Sequence, residues 1–461
     1  MLLEDIARKS AALSIRDCPS LALATARMAI MDTIGVTLAG AREDSTQAVY
    51  RVCRHSMGSG PALIFGQTGG VDMLTAALVN GTASHALDFD DCSNTLGGHP
   101  SAPIVPALWA LAEARGSNGS DLLAAYIAGV EVETKIGRAV NFHHYEKGWH
   151  PTATLGTFGS AAACSRLLNL NARKTSIALG IAASMAAGIK ANFGTMTKPF
   201  HVGQAARNGL LAALLAEEGM TANSGALEDD QGFFEVFNGA GTYDPDVILK
   251  TWADPLDIIE PGIAFKRHPC CASTHPAIDA LLVLRDKHGL TPASVRHIRS
   301  WTHPRRLNHT NRPDPKTGLD GKFSVQYVLA RALLNGTVSL EHFSNAAVQN
   351  TDVREVLQKI TAEPHPEANW ASTDHFYADV TVVTQDGQEF HHYVDRPVGR
   401  DRNHPMPEGA LEAKFENCAA RLLPRDLAKQ LTKQLLGINA DNTIREISAK
   451  IQAGMSMSAN I

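Results

Sequence analysis

Two stretches of small residues set the first limit on how this chain can fold: GSAAAC at 159–164 and GIAASMAAGI at 180–189. Both lie in segments whose apolar residues recur at helical spacing. Helix surfaces built of Gly, Ala and Ser let neighbouring backbones come close, so these segments are expected as central helices of a tightly packed bundle. The same periodicity runs through 21–35, 72–87, 103–115, 121–140, 157–168, 174–189 and 203–219, and the chain reads as helix after helix to Phe265. Beyond Pro261 the pattern changes. VRHIRSWT at 295–302 alternates as a strand does, and DVTVVT (379–384) and EFHHYV (389–394) flank Asp386-Gly387, whose positive φ angles suit a tight hairpin turn. Helical segments at 276–288 and 325–334 lie between them. The expected fold is therefore mainly α: a large all-helical bundle domain over 1–265 with 396–461, and a smaller α+β lid domain over 266–395.

Composition narrows the function. Of 461 residues, 44% are hydrophobic and 19% charged, enough for a substantial core. Lys and Arg total 42 against 47 Asp and Glu, a net charge of −5, which argues against a nucleic-acid or membrane partner and leaves room for a local cationic pocket. The charged start MLLEDIARKS is unlike a signal peptide, and the apolar run at 175–189 stops at Lys190, too short to span a bilayer. Seven cysteines make no C-x-x-C pair, which suits reduced thiols in the cytoplasm and neither structural zinc nor an iron–sulfur cluster. H-E-x-x-H, G-x-S-x-G and Walker motifs are absent, and no metal and no cofactor is expected.

Four clusters carry residue types suited to chemistry. In HALDFDDCSNTLGGHPSAP (85–103), continued helical spacing would put His85 and Asp88 on one face, Asp91 partly round it and Asp90 elsewhere. The cluster reads as an acidic helix end, as a carboxylate–histidine proton-transfer site before a Gly-Gly turn, or as an aspartate-rich magnesium motif. In GWHPTATLGTFG (148–159), His150 sits at a turn before a helix, where the dipole favours its neutral form; a structural turn histidine is the simpler reading. TKPFHVGQAARNG (197–209) sets Lys198 and His201 just ahead of a helix with no acidic residue before Glu217, which suits carboxylate binding or plain solvent exposure. FKRHPCCASTHPAIDA (265–280) gathers Lys266, Cys271 and His275 at the inferred domain junction, a frequent place for a ligand. Tyr327 could reach the same cleft or belong to the core.

Together the HALDFDD, GHPSAP, GWHPTATLGTFG, TKPFHVGQAARNG and STHP strings resemble the MmgE/PrpD family, whose members include 2-methylcitrate dehydratases, cis-aconitate decarboxylases and iminodisuccinate epimerases. The resemblance runs from MDTIGVTLAG at 31–40 to LEAKFENCAA at 411–420. It implies a homodimer with a metal-free site between the domains, acting on a small di- or tricarboxylic acid by proton transfer next to a carboxylate. By motif position it implies functional roles for Asp88, His99, His150, Lys198 and Tyr327, expected to be catalytic, and for one further residue within 271–275; Cys92, His201, Lys266, Cys271 and His275 are read as substrate contacts. Lys198, with His201 or Lys266, would supply the positive field, and His99 and His150 would move the proton. Cys92 stands where the decarboxylase branch usually has threonine, and Cys271 where it tends to have histidine. Dehydration of a 2-methylcitrate-like acid is accordingly expected first, then decarboxylation or isomerisation, then epimerisation. The non-enzyme alternative is a binding protein for an anionic metabolite.

Overall fold

A helix of 21 residues, Ser20–Gly40, is long and apolar enough to cross a membrane, yet 72% of its most apolar window is buried. It packs against Met73–Ala86 and Ala410–Ala419 as a core helix. The chain is described here by a computed structural model that covers residues 1–368 and 376–458. These form two units, Met1–Phe265 with Pro407–Ile461, and Lys266–Met406. Residues 396–406, assigned to the bundle from sequence, fall in the second unit. They contain no helix, and the Val398 N–H donates to Asp279 Oδ2 there at 2.9 Å.

In the first unit the small-residue segments do what their composition requires. Pro151–Leu167 packs on Gly119–Val140 and on Thr197–Glu217, and the latter packs on Met73–Ala86. A Cβ on Gly203 would stand 2.3 Å from the Leu78 carbonyl oxygen, and one on Gly81 would stand 2.8 Å from Gly203 Cα. These two helices therefore touch through their backbones, and only glycine permits it. The Pro151–Leu167 helix starts six residues before its apolar periodicity, because Pro151 is pre-set for the first helical position. Thr197–Glu217 likewise starts early, so Lys198 and His201 lie within its first two turns rather than ahead of it.

The second unit holds a four-stranded sheet in the order Ile360–Pro364, Val295–Thr302, Ala378–Thr384, Glu389–Val394. The first pair is parallel and the others antiparallel. The last two strands are the expected hairpin, with Gly387 at φ +86° in its turn. Ile360–Pro364 was not expected as a strand; it occupies a sheet edge, where a terminal proline is tolerated. His275–His288 and Val325–Asn335 pack together and share a core with the sheet.

Candidate active site

The site grows from the end of one helix. Asp72 caps Met73–Ala86 by accepting from the Thr75 N–H at 2.9 Å, and the helix delivers His85 on its last turn. Asp88 then takes φ +51°, a left-handed conformation uncommon outside glycine but tolerated by aspartate. The chain turns there, so helical spacing does not extend to the residues beyond. Asp90, expected to point elsewhere, is instead fully buried with Oδ2 at 2.7 Å from His85 Nδ1 and 3.0 Å from His99 Nδ1. Asp91 turns inward to accept from the Ser101 N–H at 3.2 Å. Cys92 pins the loop by exchanging two backbone hydrogen bonds of 2.8 Å with Ala264. Gly98 lies so close to the start of Pro151–Leu167 that a Cβ would stand 2.7 Å from Thr152 Oγ1, and the His99 N–H donates to that oxygen at 3.1 Å.

The other groups come from two helix starts. His150 immediately precedes Pro151, is 2% exposed, and places Nδ1 at 3.3 Å from Nδ1 of His201. Its ring meets Phe193 edge-on, with centroids 4.9 Å apart. Lys198 is not without an acidic partner: its Nζ donates to Asp88 Oδ1 at 2.6 Å, with both side chains nearly buried. His99 Nε2 is 3.9 Å from the same Oδ1, and the His85 ring lies 4.6 Å from that of His99 and 5.7 Å from that of His150. Asp88, His99, His150 and Lys198 thus converge within the first unit, with Cys92 and His201 beside them. Cys92 Sγ lies 3.8 Å from His99 Nδ1.

Burial dominates the proton affinities here. It lowers His85 to about 4 against the pull of Asp90, and it lowers His150 well below the ordinary histidine value, helped by the neighbouring imidazoles and Lys198. His201 is lowered too, first by burial and then by Lys198. Burial works against ionisation of Asp90, yet His85 and His99 hold its carboxyl well below the carboxylate range. Burial thus favours the neutral forms of His85, His150 and His201, which can gain protons when a polyanion arrives beside Lys198. A cavity of about 910 Å³ elsewhere in this unit is edged by Glu228, Asp229 and Asp230, which would repel such a ligand.

His85, Asp90 and His99 place one ligand-type atom each within 4.8 Å of one another, as a metal triad would. Both imidazole nitrogens, however, lie at hydrogen-bond distance from one carboxylate oxygen. A cation would need each ring to exchange that bond for a coordinated lone pair, so the donor set fits a proton-sharing cluster better than a metal.

The remaining candidates belong to the second unit. Cys271 Sγ is 3.7 Å from His309 Nε2, which also lies 3.2 Å from Ser273 Oγ. His275 is buried, its Nε2 3.3 Å from the Cys270 carbonyl oxygen and its ring edge-on to His268. Lys266 is buried as well. Tyr327 has no exposed surface; its hydroxyl donates to the His342 carbonyl and accepts from Arg331 Nε at 2.9 Å. This supports the core reading of Tyr327 over a substrate-facing one. Sequence reasoning missed His309, whose ring is 36 residues from Ser273. It also missed Asp90, although the HALDFDD string contained it.

Comparison with known proteins finds one family across most of the chain. The MmgE/PrpD N-terminal domain model matches residues 4–246, and the MmgE/PrpD C-terminal domain model matches residues 268–437. The chain is 32% identical over 421 residues to a cis-aconitate decarboxylase of Mus musculus, covering 87% of this chain and 83% of that protein. It is 35% identical over 371 residues to a protein of the same name from Homo sapiens, covering 78% and 75%. A cis-aconitate decarboxylase of Aspergillus terreus is 26% identical over 447 residues, covering 93% and 91%.

Proposed function

Since the chain belongs to the MmgE/PrpD family, we propose that it is a lyase releasing CO₂ from an unsaturated tricarboxylate, cis-aconitate or a close analogue. What carries this reading is one buried cluster of an ammonium and several imidazoles in a chain whose curated relatives are named cis-aconitate decarboxylase. Those names reverse the order drawn from sequence, where Cys92 and Cys271 put dehydration first.

The chemistry asks little of the protein beyond charge and one proton. In cis-aconitate one carboxylate sits on the saturated carbon next to the alkene. When its C–C bond breaks, that electron pair forms a new double bond, and the pair of the old double bond takes up a proton at the far alkene carbon. The balance is substrate plus one proton to product plus CO₂. Lys198 would hold a retained carboxylate, and His99 or His150, protonated once the polyanion is bound, would supply the proton. Asp88 would keep the Lys198 ammonium in place. A homodimer is part of the proposal, supported by the family resemblance, and so is a cytoplasmic location, supported by seven cysteines that form no C-x-x-C pair.

The test is incubation with cis-aconitate, citrate, 2-methylcitrate and iminodisuccinate, read by mass spectrometry and CO₂ release. Loss of CO₂ from cis-aconitate is expected. Dehydration of 2-methylcitrate with no CO₂ from any acid would overturn the reading.

A further inference from the structure

The two imidazoles that share Asp90 raise a question of proton placement within the cluster. Asp90 has no exposed surface, and among the described residues side chains engage only its Oδ2, while Oδ1 is buried without a hydrogen-bond partner. Its charge is therefore met by the two ring N–H groups at 2.7 and 3.0 Å. An ionised carboxylate can only accept, so each Nδ1 must be the protonated nitrogen. His85, held neutral by burial, then carries its lone pair on Nε2, which is buried and without a partner. His99 in turn directs Nε2, the nitrogen left to gain or lose a proton, toward the Asp88 oxygen that Lys198 holds.

We propose that Asp90 is the positioning residue of the site: through one oxygen it sets the tautomer and orientation of His99, so that Nε2 of His99 is the atom that exchanges a proton with substrate, while His85 locks that oxygen from behind. The asymmetry between the rings favours His99 for the chemistry. Its side chain is 13% exposed while that of His85 is 0%, so only His99 has access to anything outside the core. A buried carboxylate on Nδ1 stabilises the imidazolium formed when Nε2 gains a proton, as in a carboxylate–imidazole pair of any hydrolytic triad. Cys92 Sγ, at 3.8 Å, is the weaker and more distant partner of the same nitrogen. This assignment rests on the proposed reaction for its catalytic meaning but not for its geometry.

Asp90→Asn keeps the shape and removes the charge. Its kcat on cis-aconitate should fall by about 10²–10⁴ with KM changed only a few-fold. The ionisation that controls activity should move to lower pH in the variant. The groups around His99 that could also shape that profile are Asp88, Cys92, His85, His150 and Lys198, and all are unchanged in it. An unchanged pH profile, with activity reduced only in proportion to the folded fraction, would overturn the proposal. A second arm needs no substrate. Nitrogen-15 NMR of the wild-type protein should show His99 Nδ1 protonated at high pH and Nε2 bare, with that preference lost in Asp90→Ala. The opposite tautomer in the wild type would overturn the proposal even if the chain decarboxylates cis-aconitate. The expected tautomer with an inactive enzyme would instead count against the proposed reaction alone.

Discussion

Lys198 and Asp88 lie 110 residues apart in the chain and meet at 2.6 Å, with side chains only 7% and 6% exposed. A pair so placed couples stability to function. Removing the ammonium takes the nearest cation away from a buried carboxylate, at a cost of roughly 3–5 kcal/mol. Lys198→Ala should therefore melt early and lose about 10²–10³ in kcat. Adding Asp88→Asn should restore most of the melting temperature and none of the activity. Recovery of turnover in the double variant would remove Lys198 from the chemistry.

His150 can be tested more cleanly, because its backbone does the structural work. Its N–H donates to Gly188 at 3.0 Å and its carbonyl accepts from Ala153 at 2.9 Å, and both bonds survive a side-chain change. His150→Ala should keep the helix and lower kcat by about 10²–10⁴. Near-normal rates with a normal circular dichroism spectrum would remove His150 from the chemistry.

Binding should take up protons. His85, His150 and His201 all have lowered proton affinity in the unliganded site, so they are neutral near pH 7. A trianion beside them raises that affinity, so the complex holds more protons than the free protein. Affinity for the acid should then tighten as pH falls from roughly 8 to 6. Calorimetry in buffers of different ionisation heat would report the uptake. Net proton release would contradict the charge assignment.

Tyr327→Phe separates the core from the site. The change strands Arg331 Nε and the His342 carbonyl, both bonded to the hydroxyl. A loss of about 1–3 kcal/mol in stability is expected, read from urea denaturation. Activity per folded molecule should stay within a few-fold of wild type, and a hundred-fold loss would return Tyr327 to the chemistry.

The helices were legible because a buried stripe must recur every turn, and the hairpin because Asp-Gly permits the turn that closes it. Helix starts were less legible: Pro151 begins one by backbone pre-organisation, and Thr197 begins another six residues ahead of its apolar period. His99, His150 and Lys198 could be picked out by residue type and by family resemblance. Their partners could not, because the Lys198–Asp88 and His150–His201 contacts span 110 and 51 residues. Asp90 was misplaced for a local reason. A helical wheel drawn through 85–91 assumes regular dihedrals, and Asp88 at φ +51° breaks that assumption.

The most direct measurement is turnover of cis-aconitate in D₂O, with product followed by proton NMR and CO₂ collected from the same vessel. One deuterium at the former alkene carbon for each CO₂ released, abolished in Lys198→Ala, is the predicted result. Wild-type protein that binds the acid yet yields neither CO₂ nor deuterated product would contradict it.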